Sequence, residues 1–135
     1  MTDRRILGIG VISLGWMGRL HARSYRAIAE RFPELGVVPR LVAAADPVDQ
    51  VRQEAVDNLG FERAYADYRE LLADPEVEAV SICAPNFLHH EMALAAVKAG
   101  KPFWIEKPMG VSAAQSREIA HAAEKANLVT AVGFN

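Results

Sequence analysis

The residues with the clearest chemical potential form a turn after a short β-branched run. The segment Ile6 to Ile12 leads into Ser13-Leu14-Gly15-Trp16-Met17-Gly18, and a pattern of helical spacing begins at once. A strand, a glycine turn and a helix in this order are the context in which G-x-G-x-x-G holds a dinucleotide pyrophosphate. Gly15 and Gly18 occupy its second and third glycine positions, and Ser13 occupies the first. We predict cofactor contacts from the whole turn: Ser13, Leu14, Gly15, Trp16, Met17 and Gly18.

Ser13 leaves alternatives open. Serine lacks the freedom of glycine at positive φ, so the turn either keeps φ negative here or carries strain of ~1–2 kcal/mol. A competing frame, Gly8-Ile9-Gly10-Val11-Ile12-Ser13, keeps the first two glycines but places β-branched residues where a helix must open. We therefore favour the Ser13 frame. The plain alternative is a tight strand-to-helix turn that binds no ligand.

An acidic residue at the end of the second apolar run strengthens the dinucleotide interpretation. The run Leu41 to Ala45 ends in Asp46. A carboxylate there accepts hydrogen bonds from the adenosine ribose and repels a 2′-phosphate, so the sequence predicts NAD, with NADP less favoured. Arg52, the nearest arginine that follows, falls inside the next helix. The alternative is that Asp46 only caps that helix ahead of Pro47.

Short β-branched segments alternate with segments of helical period along the whole chain. This alternation predicts a single α/β domain with a Rossmann-type doubly wound parallel sheet of about six strands. Alanine-rich helices can approach such a sheet closely. The predicted strands are Ile6–Ile12, Arg40–Asp46, Arg63–Ala66, Ala79–Ala84, Phe103–Glu106 and Val129–Phe134.

Spacing and capping residues define the helices between these strands. Asp67 and Ser112 are predicted to cap helix N-termini, Gly60 is predicted to end a helix, and the segment from Phe32 to Pro39 is predicted to be a surface loop. The predicted shared faces are Met17, Leu20, Ser24, Ala27 and Ile28 in the first helix, Leu88, Met92, Ala95 and Ala99 in the fourth, and Ile119, Ala122, Ala123 and Ala126 in the fifth.

Composition excludes several classes of protein. The 135 residues carry 15 Lys and Arg against 17 Asp and Glu, a net charge of −2, so nucleic acid is not an expected partner. The longest apolar runs are far shorter than the ~20 residues of a membrane span, and the N-terminus has no signal-peptide pattern. The single cysteine, Cys83, fits a reducing compartment and is interpreted as a small buried apolar residue. We expect a cytoplasmic protein.

The histidines show no pattern typical of a metal centre. His21, His90 and His121 have no spacing that matches a zinc site, so they are interpreted as structural or exposed side chains. No metal site is expected.

The residues at the carboxyl ends of the fourth and fifth strands, where ligands of open α/β sheets gather, are distinctive. These strands run into Ala84-Pro85-Asn86-Phe87-Leu88-His89 and Glu106-Lys107-Pro108. Together with Gly15 to His21, Ala99-Gly100-Lys101 and the final Val132-Gly133-Phe134-Asn135, they resemble the glucose–fructose oxidoreductase / inositol dehydrogenase (Gfo/Idh/MocA) family over essentially the whole chain. Ser13 in place of glycine, and Ala84 where threonine is common, depart from the family pattern.

The resemblance implies roles for these strand-end residues. Lys107 would be the catalytic residue, because its cation would point at the substrate carbinol beside the nicotinamide and stabilise developing alkoxide character. Glu106 and Pro108 would shape the nicotinamide pocket and fix the direction of the lysine. The resemblance also assigns cofactor contacts to Ala84, Pro85, Asn86 and His89.

The resemblance also implies an activity and a missing part. It predicts an oxidoreductase that transfers hydride to NAD from a CH–OH group of a sugar, cyclitol or related polyol. In the family a second α/β domain supplies the substrate contacts, a D-x-x-x-H pair for proton transfer and the usual oligomer interface. We expect that domain to be absent from this chain, leaving residues 1–135 as a dinucleotide-binding domain that binds NAD weakly and is catalytically incomplete.

Two alternatives belong to other functional classes. The first is a non-catalytic, NAD(P)-sensing regulatory module of the same fold, in which Lys107 would have no chemical role. The second is an acyl or imine reductase, which would not need the Glu106-Lys107-Pro108 sequence.

Overall fold

A six-stranded parallel sheet organises the chain. The structure, a computed structural model, describes residues 4–134; the predictions made on residues 1–3 and on Asn135 lie outside them. The strand order β3-β2-β1-β4-β5-β6 confirms the predicted Rossmann-type class and strand number. The strands are β1 (Arg5–Ile12), β2 (Val37–Ala45), β3 (Arg63–Tyr65), β4 (Ala79–Ile82), β5 (Phe103–Ile105) and β6 (Thr130–Val132).

The order in which successive strands join the sheet reverses at β1. At the end of that strand Ile12 pairs with Ala45 of β2 and with Ile82 of β4. The chain adds β2 and β3 on one side of β1, and β4, β5 and β6 on the other. In open α/β sheets a crevice for ligands opens at the carboxyl ends of the strands where this reversal occurs.

β2 is longer than the sequence predicts, and the predicted loop between Phe32 and Pro39 is correspondingly shorter. A single 3₁₀ turn, Pro33–Leu35, ends at Gly36 with φ of +63°, and Val37 already pairs with Arg5 of β1. Pro39 is tolerated inside the strand because β3 pairs only with Ala43–Ala45, so β2 is an edge strand at that point.

Within residues 4–134, five helices cover the two faces of the sheet. They are α1 (Trp16–Arg31), α2 (Asp49–Glu54, continued by a π-helical turn over Ala55–Leu59), α3 (Tyr68–Ala73), α4 (His89–Lys98) and α5 (Ala113–Lys125). Two predicted caps are confirmed, since Asp67 accepts from the Arg69 N–H and Ser112 from the Gln115 N–H. Gly60 ends the α2 segment in the left-handed conformation. Among residues 4–134, no helix combines the length and apolar character that a membrane span requires.

Two apolar cores lie on opposite faces of the sheet. On one face α1 and α2 pack through Ala22 and Ala55 against residues such as Val11 and Leu41. On the other face α3, α4 and α5 pack against the sheet; their buried residues include Leu71, Ala93, Ala96 and Ile119. The small alanine side chains let the helices approach the sheet closely.

The predicted helix faces are only partly correct. α4 buries His89, Met92, Ala93 and Ala96, so its core face is rotated from the predicted one, and α5 buries Ile119 and Ala123 as predicted. In α1 the buried residues are Gly18 and Ala22, whereas the predicted face lines an open groove. Spacing located an apolar face on α1 but could not tell which neighbour, if any, covers it.

A buried carboxylate joins β3 to the loop before β4. Asp74 accepts two hydrogen bonds from Arg63, at 2.7 and 3.0 Å, and further bonds from the Tyr65 hydroxyl and the Glu76 backbone N–H. The Arg63 guanidinium is the main reason that the pKa of Asp74 falls to about 2. Because this pKa lies below that of the unfolded chain, the ionised carboxylate stabilises the fold above pH ~4, and this contribution disappears as the pH falls towards 2.

We expect Asp74→Asn to lower the free energy of unfolding at pH 7 by about 2 kcal/mol, the equivalent of the pKa shift. Urea titrations should show the difference from the unmodified chain shrinking as the pH falls from about 4 to about 2. The exposed Glu124→Gln should change stability by less than about 0.5 kcal/mol. A difference that stays constant with pH would contradict this role for Asp74.

Candidate functional site

The turn between β1 and α1 is tight, and Ser13 adopts the strained alternative. Ser13 has φ of +71°, and its N–H donates to the Ala45 carbonyl oxygen at 2.7 Å. This left-handed conformation carries strain of ~1–2 kcal/mol for a residue with a Cβ. The bond to β2 shows what holds the residue there.

Gly15 and Gly18 have different roles in the turn. A Cβ at Gly18 would overlap the Ser13 carbonyl oxygen, so only glycine lets α1 approach the end of β1 this closely. A Cβ at Gly15 would meet nothing within 4 Å. Gly18 therefore serves the packing of the fold, whereas the space beside Gly15 is open.

The N-terminus of α1 is suited to an anion. No side chain of the described residues caps the helix, and its first turn contains no acidic residue. The free backbone N–H groups and the positive end of the helix dipole therefore favour a negative group. An uncapped sixteen-residue helix behind an open glycine fits the pyrophosphate that the sequence predicts.

Asp46 lies at the end of β2, as predicted, and its carboxylate is already engaged. One oxygen accepts from the Leu14 N–H at 3.0 Å and the other from the Val48 N–H at 3.0 Å. Asp46 thus holds the glycine turn and the loop before α2. It does not cap α2, because that helix begins after Val48 without a side-chain cap, and the ribose contact stays a prediction. Each oxygen keeps a second lone pair that a ribose hydroxyl can use.

Arg52 lies in α2, as predicted, but its side chain folds back towards Asp46. Its guanidinium donates to the Asp46 carbonyl oxygen at 2.7 Å and also pairs with Asp49. These two contacts occupy the guanidinium beside the loop that follows β2.

Several predicted cofactor residues line one crevice of about 250 Å³ at the switch point of the sheet. Ser13 contributes from the end of β1, Asp46 from the end of β2, and Ala84 and Pro85 from the segment after β4. Sequence reasoning missed other lining residues, among them Pro47, Tyr68, Leu88 and Met92. Nothing in a single apolar or aromatic residue marks it as lining a crevice.

The Glu106-Lys107-Pro108 turn is fastened to the segment after β4. Asn86 Nδ2 donates to the Pro108 carbonyl oxygen at 2.6 Å, and His89 Nδ1 lies 2.8 Å from the same oxygen. The Lys107–Pro108 peptide bond is cis, and the Lys107 side chain is exposed at the sheet edge. Asn86 and His89 thus contact the turn that carries the predicted catalytic lysine.

His89 differs from the expectation that it lines the cleft. Its side chain is buried, with 1% of the residue exposed, and Nε2 lies 2.7 Å from the Ala84 carbonyl oxygen. A neutral imidazole has one N–H, so only the doubly protonated ring donates to both carbonyl oxygens at once. His89 is therefore a link between two backbone segments rather than part of the cleft wall.

Glu106 anchors a buried polar network on the α1 face of the sheet. Its Oε1 lies 2.8 Å from His21 Nε2, His21 Nδ1 lies 3.0 Å from Ser81 Oγ, and Ser81 Oγ lies 2.7 Å from the Tyr25 hydroxyl. Sequence reasoning gave no functional part to His21 and missed Ser81 and Tyr25. A serine within the apolar β4 segment was the one available signal.

An apolar groove of about 780 Å³ runs along α1 above this network. The predicted apolar face of α1 forms one wall, and Trp104 of β5 and Phe134 lie on the other side. The α1 face of β5 and β6 has no helix over it within residues 4–134, so Trp104 remains 41% exposed. The groove adjoins the α1 N-terminus, where Trp16 and Met17 line it.

Within the described residues, neither Cys83 nor a group of metal-ligating side chains forms a further reactive site. Cys83 is partly buried against the α1-side core, and burial, with a smaller effect of Glu106, raises the pKa of its thiol to about 12. A thiol with this pKa stays protonated at neutral pH, so it is not an activated nucleophile. Within the described residues, no three His, Cys, Asp or Glu side chains form a group that could hold a metal ion.

The fold and the glycine turn define a dinucleotide-binding Rossmann domain, and comparison with known proteins identifies its family. Residues 7–134 match the family described as "Oxidoreductase family, NAD-binding Rossmann fold". The chain belongs to this Gfo/Idh/MocA family, as its motifs predicted.

Similar proteins include sugar and cyclitol dehydrogenases. The chain is 35% identical over 131 residues to a levoglucosan dehydrogenase of Pseudarthrobacter phenanthrenivorans, covering 96% of this chain and 33% of that enzyme. It is 34% identical over 127 residues to a myo-inositol 2-dehydrogenase of Thermotoga maritima, covering 94% and 36%. The chain thus spans about a third of the length of these relatives.

Solved structures agree with the fold. A crystal structure of an NAD binding oxidoreductase from Klebsiella pneumoniae superimposes with a TM-score of 0.89 and 44% identity, covering 94% of this chain and 34% of that chain. A levoglucosan dehydrogenase in complex with NADH and levoglucosan superimposes with a TM-score of 0.90 and 33% identity, covering 95% and 35%.

The different roles of the two glycines give a paired test. Gly18→Ala should lower the free energy of unfolding by about 2 kcal/mol or more, because the new Cβ overlaps the Ser13 carbonyl oxygen. Gly15→Ala should change stability by less than about 0.5 kcal/mol. It should weaken NADH binding about tenfold by obstructing the pyrophosphate, as measured by calorimetric titration. Unchanged NADH affinity in Gly15→Ala would contradict the placement of the pyrophosphate.

The two adjacent histidines give a second test. His89→Ala should lower the free energy of unfolding by about 2–4 kcal/mol, because it leaves a cavity and removes the buried ring that bridges the Ala84 and Pro108 carbonyl oxygens. His90, which pairs with the exposed Glu118, should tolerate alanine within about 0.5 kcal/mol. Urea unfolding measures both, and equal losses would contradict a special role for His89.

Proposed function

We propose that this chain is the dinucleotide-binding domain of an NAD-dependent oxidoreductase that acts on a CH–OH group of a sugar, cyclitol or related polyol. The observation that carries the proposal is the uncapped N-terminus of α1 behind the open Gly15, which adjoins the Asp46 carboxylate at the switch point of the sheet. Backbone donors, an open approach and an acidic group at the strand ends are the requirements for a dinucleotide.

The order of these groups supports one direction for the dinucleotide. The pyrophosphate would contact the turn from Ser13 to Gly18. The adenosine ribose would lie on the β2 side, near Asp46. The nicotinamide would then extend towards the ends of β4 and β5, near Ala84, Pro85, Asn86 and the Glu106-Lys107-Pro108 turn. His89 would support this part of the site through its contacts with the Ala84 and Pro108 carbonyl oxygens and would not touch the cofactor.

Lys107 is the proposed catalytic residue of this domain. The bound nicotinamide would supply hydride chemistry. The exposed Lys107 ammonium would stabilise negative charge on the substrate oxygen and help to order its proton. A sensing module has no chemical need for a lysine on a turn that Asn86 and His89 hold, which favours the enzyme over the regulatory alternative.

The substrate class and the rest of the site are inferred from the relatives. Two relatives are named as levoglucosan and myo-inositol dehydrogenases, which supports a polyhydroxylated ring as substrate. Those relatives are about three times as long as the matched region. We propose that a second domain outside these 135 residues supplies the substrate contacts and the proton acceptor, and that residues 1–135 alone do not turn over.

The charge and composition of the chain bear on its partners and location. A net charge of −2 and the absence of a basic cluster in the sequence support small molecules rather than nucleic acid as partners. A cytoplasmic location without a membrane partner is consistent with the one cysteine and the nicotinamide cofactor.

Calorimetric titration of the 135-residue chain with NADH and NADPH tests the function and the cofactor choice together. We expect NADH to bind at least about tenfold more tightly, because Asp46 repels a 2′-phosphate. Asp46→Ala should bring the ratio of the two dissociation constants close to one. The ratio is the right measure because loss of the Leu14 and Val48 contacts weakens both ligands equally. Tighter binding of NADPH by the unmodified chain would overturn the assignment of Asp46.

A further inference from the structure

We propose that His21 is a positioning residue for the nicotinamide half of the site: it holds the Glu106 carboxylate and thereby fixes the turn that carries Lys107. This inference rests on the proposed function. It assigns a role to the polar network described above, which joins α1, β4 and the end of β5.

The side chains of the network are buried, and each is hydrogen-bonded to another member. The His21 and Glu106 side chains are only 12% and 10% exposed, and Ser81 is fully buried. A buried carboxylate is unfavourable unless donors surround it. His21 Nε2 at 2.8 Å is its nearest donor, and Trp104 Nε1 contacts the same oxygen at 3.4 Å.

The hydrogen-bond inventory leaves each polar group of the network with a partner. As a carboxylate, Glu106 accepts at Oε1, and His21 Nε2 is the donor that faces it. The Ser81 hydroxyl can donate to or accept from His21 Nδ1, and it also contacts the Tyr25 hydroxyl. Burial raises the pKa of Tyr25, which keeps its hydroxyl protonated.

The backbone that follows β6 borders the Glu106 carboxylate. A Cβ at Gly133 would lie 2.8 Å from Glu106 Oε1 and 2.9 Å from Trp104 Nε1. The absence of a side chain at Gly133 leaves room for the carboxylate beside the backbone that follows β6. Glu106 is thus held from α1 by His21 and contacted from β5 by Trp104, and Gly133 borders it closely.

Lys107 lies between two anchors. On the N-terminal side the Glu106 N–H donates to the Ile82 carbonyl oxygen, and the Glu106 side chain is held by His21. On the C-terminal side Asn86 and His89 hold the Pro108 carbonyl oxygen. Without His21 the carboxylate loses its nearest donor, and the first anchor keeps only the longer Trp104 contact and the backbone bond. The turn beside the nicotinamide would then lose its fixed orientation, while the pyrophosphate and ribose contacts would not.

Two amide substitutions at His21 test the contacts of its two ring nitrogens one at a time. In His21→Gln the side-chain amide can reach the position of Nε2 and donate to Glu106. In His21→Asn the shorter amide reaches only the position of Nδ1, so it can contact Ser81 but not Glu106. A purely structural role, in which His21 attaches α1 to β4 through Ser81, predicts the opposite ranking of the two variants.

The experiment compares NADH with ADP-ribose, which lacks the nicotinamide, by calorimetric titration of the 135-residue chain and these variants. We expect His21→Asn to weaken NADH binding about tenfold, the usual effect of losing a hydrogen bond to a charged group, and to leave ADP-ribose within about twofold. His21→Gln should retain the affinity of the unmodified chain for both ligands. His121→Asn, the same change at an exposed histidine of α5, is the control and should alter neither.

The outcomes separate this inference from the proposed function. Equal weakening of NADH and ADP-ribose in His21→Asn, or no weakening of either, would overturn the positioning role, as would a His21→Gln variant as impaired as His21→Asn. An unmodified chain that binds ADP-ribose as tightly as NADH would overturn it as well and leave dinucleotide binding intact. Binding of neither ligand would overturn the proposed function itself. If His21→Asn does not fold, Glu106→Ala must reproduce the NADH-specific loss, and equal weakening of both ligands would overturn the inference.

Discussion

The contact between Gly18 and the Ser13 carbonyl oxygen is the constraint on which the rest of the site depends. No side chain fits at Gly18, and Ser13, whose N–H bonds to the Ala45 carbonyl oxygen, has a left-handed conformation in this turn. The result is that α1 begins immediately at the end of β1, with its uncapped N–H groups at the carboxyl edge of the sheet. A looser turn would move the helix dipole away from the crevice and would leave the dinucleotide without its main anion site.

Several polar side chains at this edge form hydrogen bonds with neighbouring segments of the protein itself. Asp46 binds the backbone of the glycine turn, Asn86 and His89 bind the Pro108 carbonyl oxygen, and Glu106 is held by His21. Each link joins segments that are distant in the sequence. The site is therefore organised before any ligand binds, which lowers the conformational cost of binding. Residues near the site act in part by fixing the backbone that contacts the ligand.

The two faces of the sheet differ in how completely the helices cover them. Helices α3, α4 and α5 cover one face of the sheet. On the opposite face, β5 and β6 border the groove beside α1. The apolar face of α1 that periodicity detects belongs mainly to this groove, not to the core. Periodicity measures where apolar residues recur along a helix. It carries no information about which surface, or which domain, they meet.

Local spacing and short motifs were enough to predict the fold class, the strand count, the caps at Asp67 and Ser112, and the family. They also placed Asp46 and Lys107 at one edge of the sheet, since parallel strands finish together. No local pattern showed that His89 is a buried link, that Asp46 holds the glycine turn, or that His21 meets Glu106. Those outcomes depend on distances between residues far apart in the chain. Such distances are set by helix packing and sheet register, which no local pattern records.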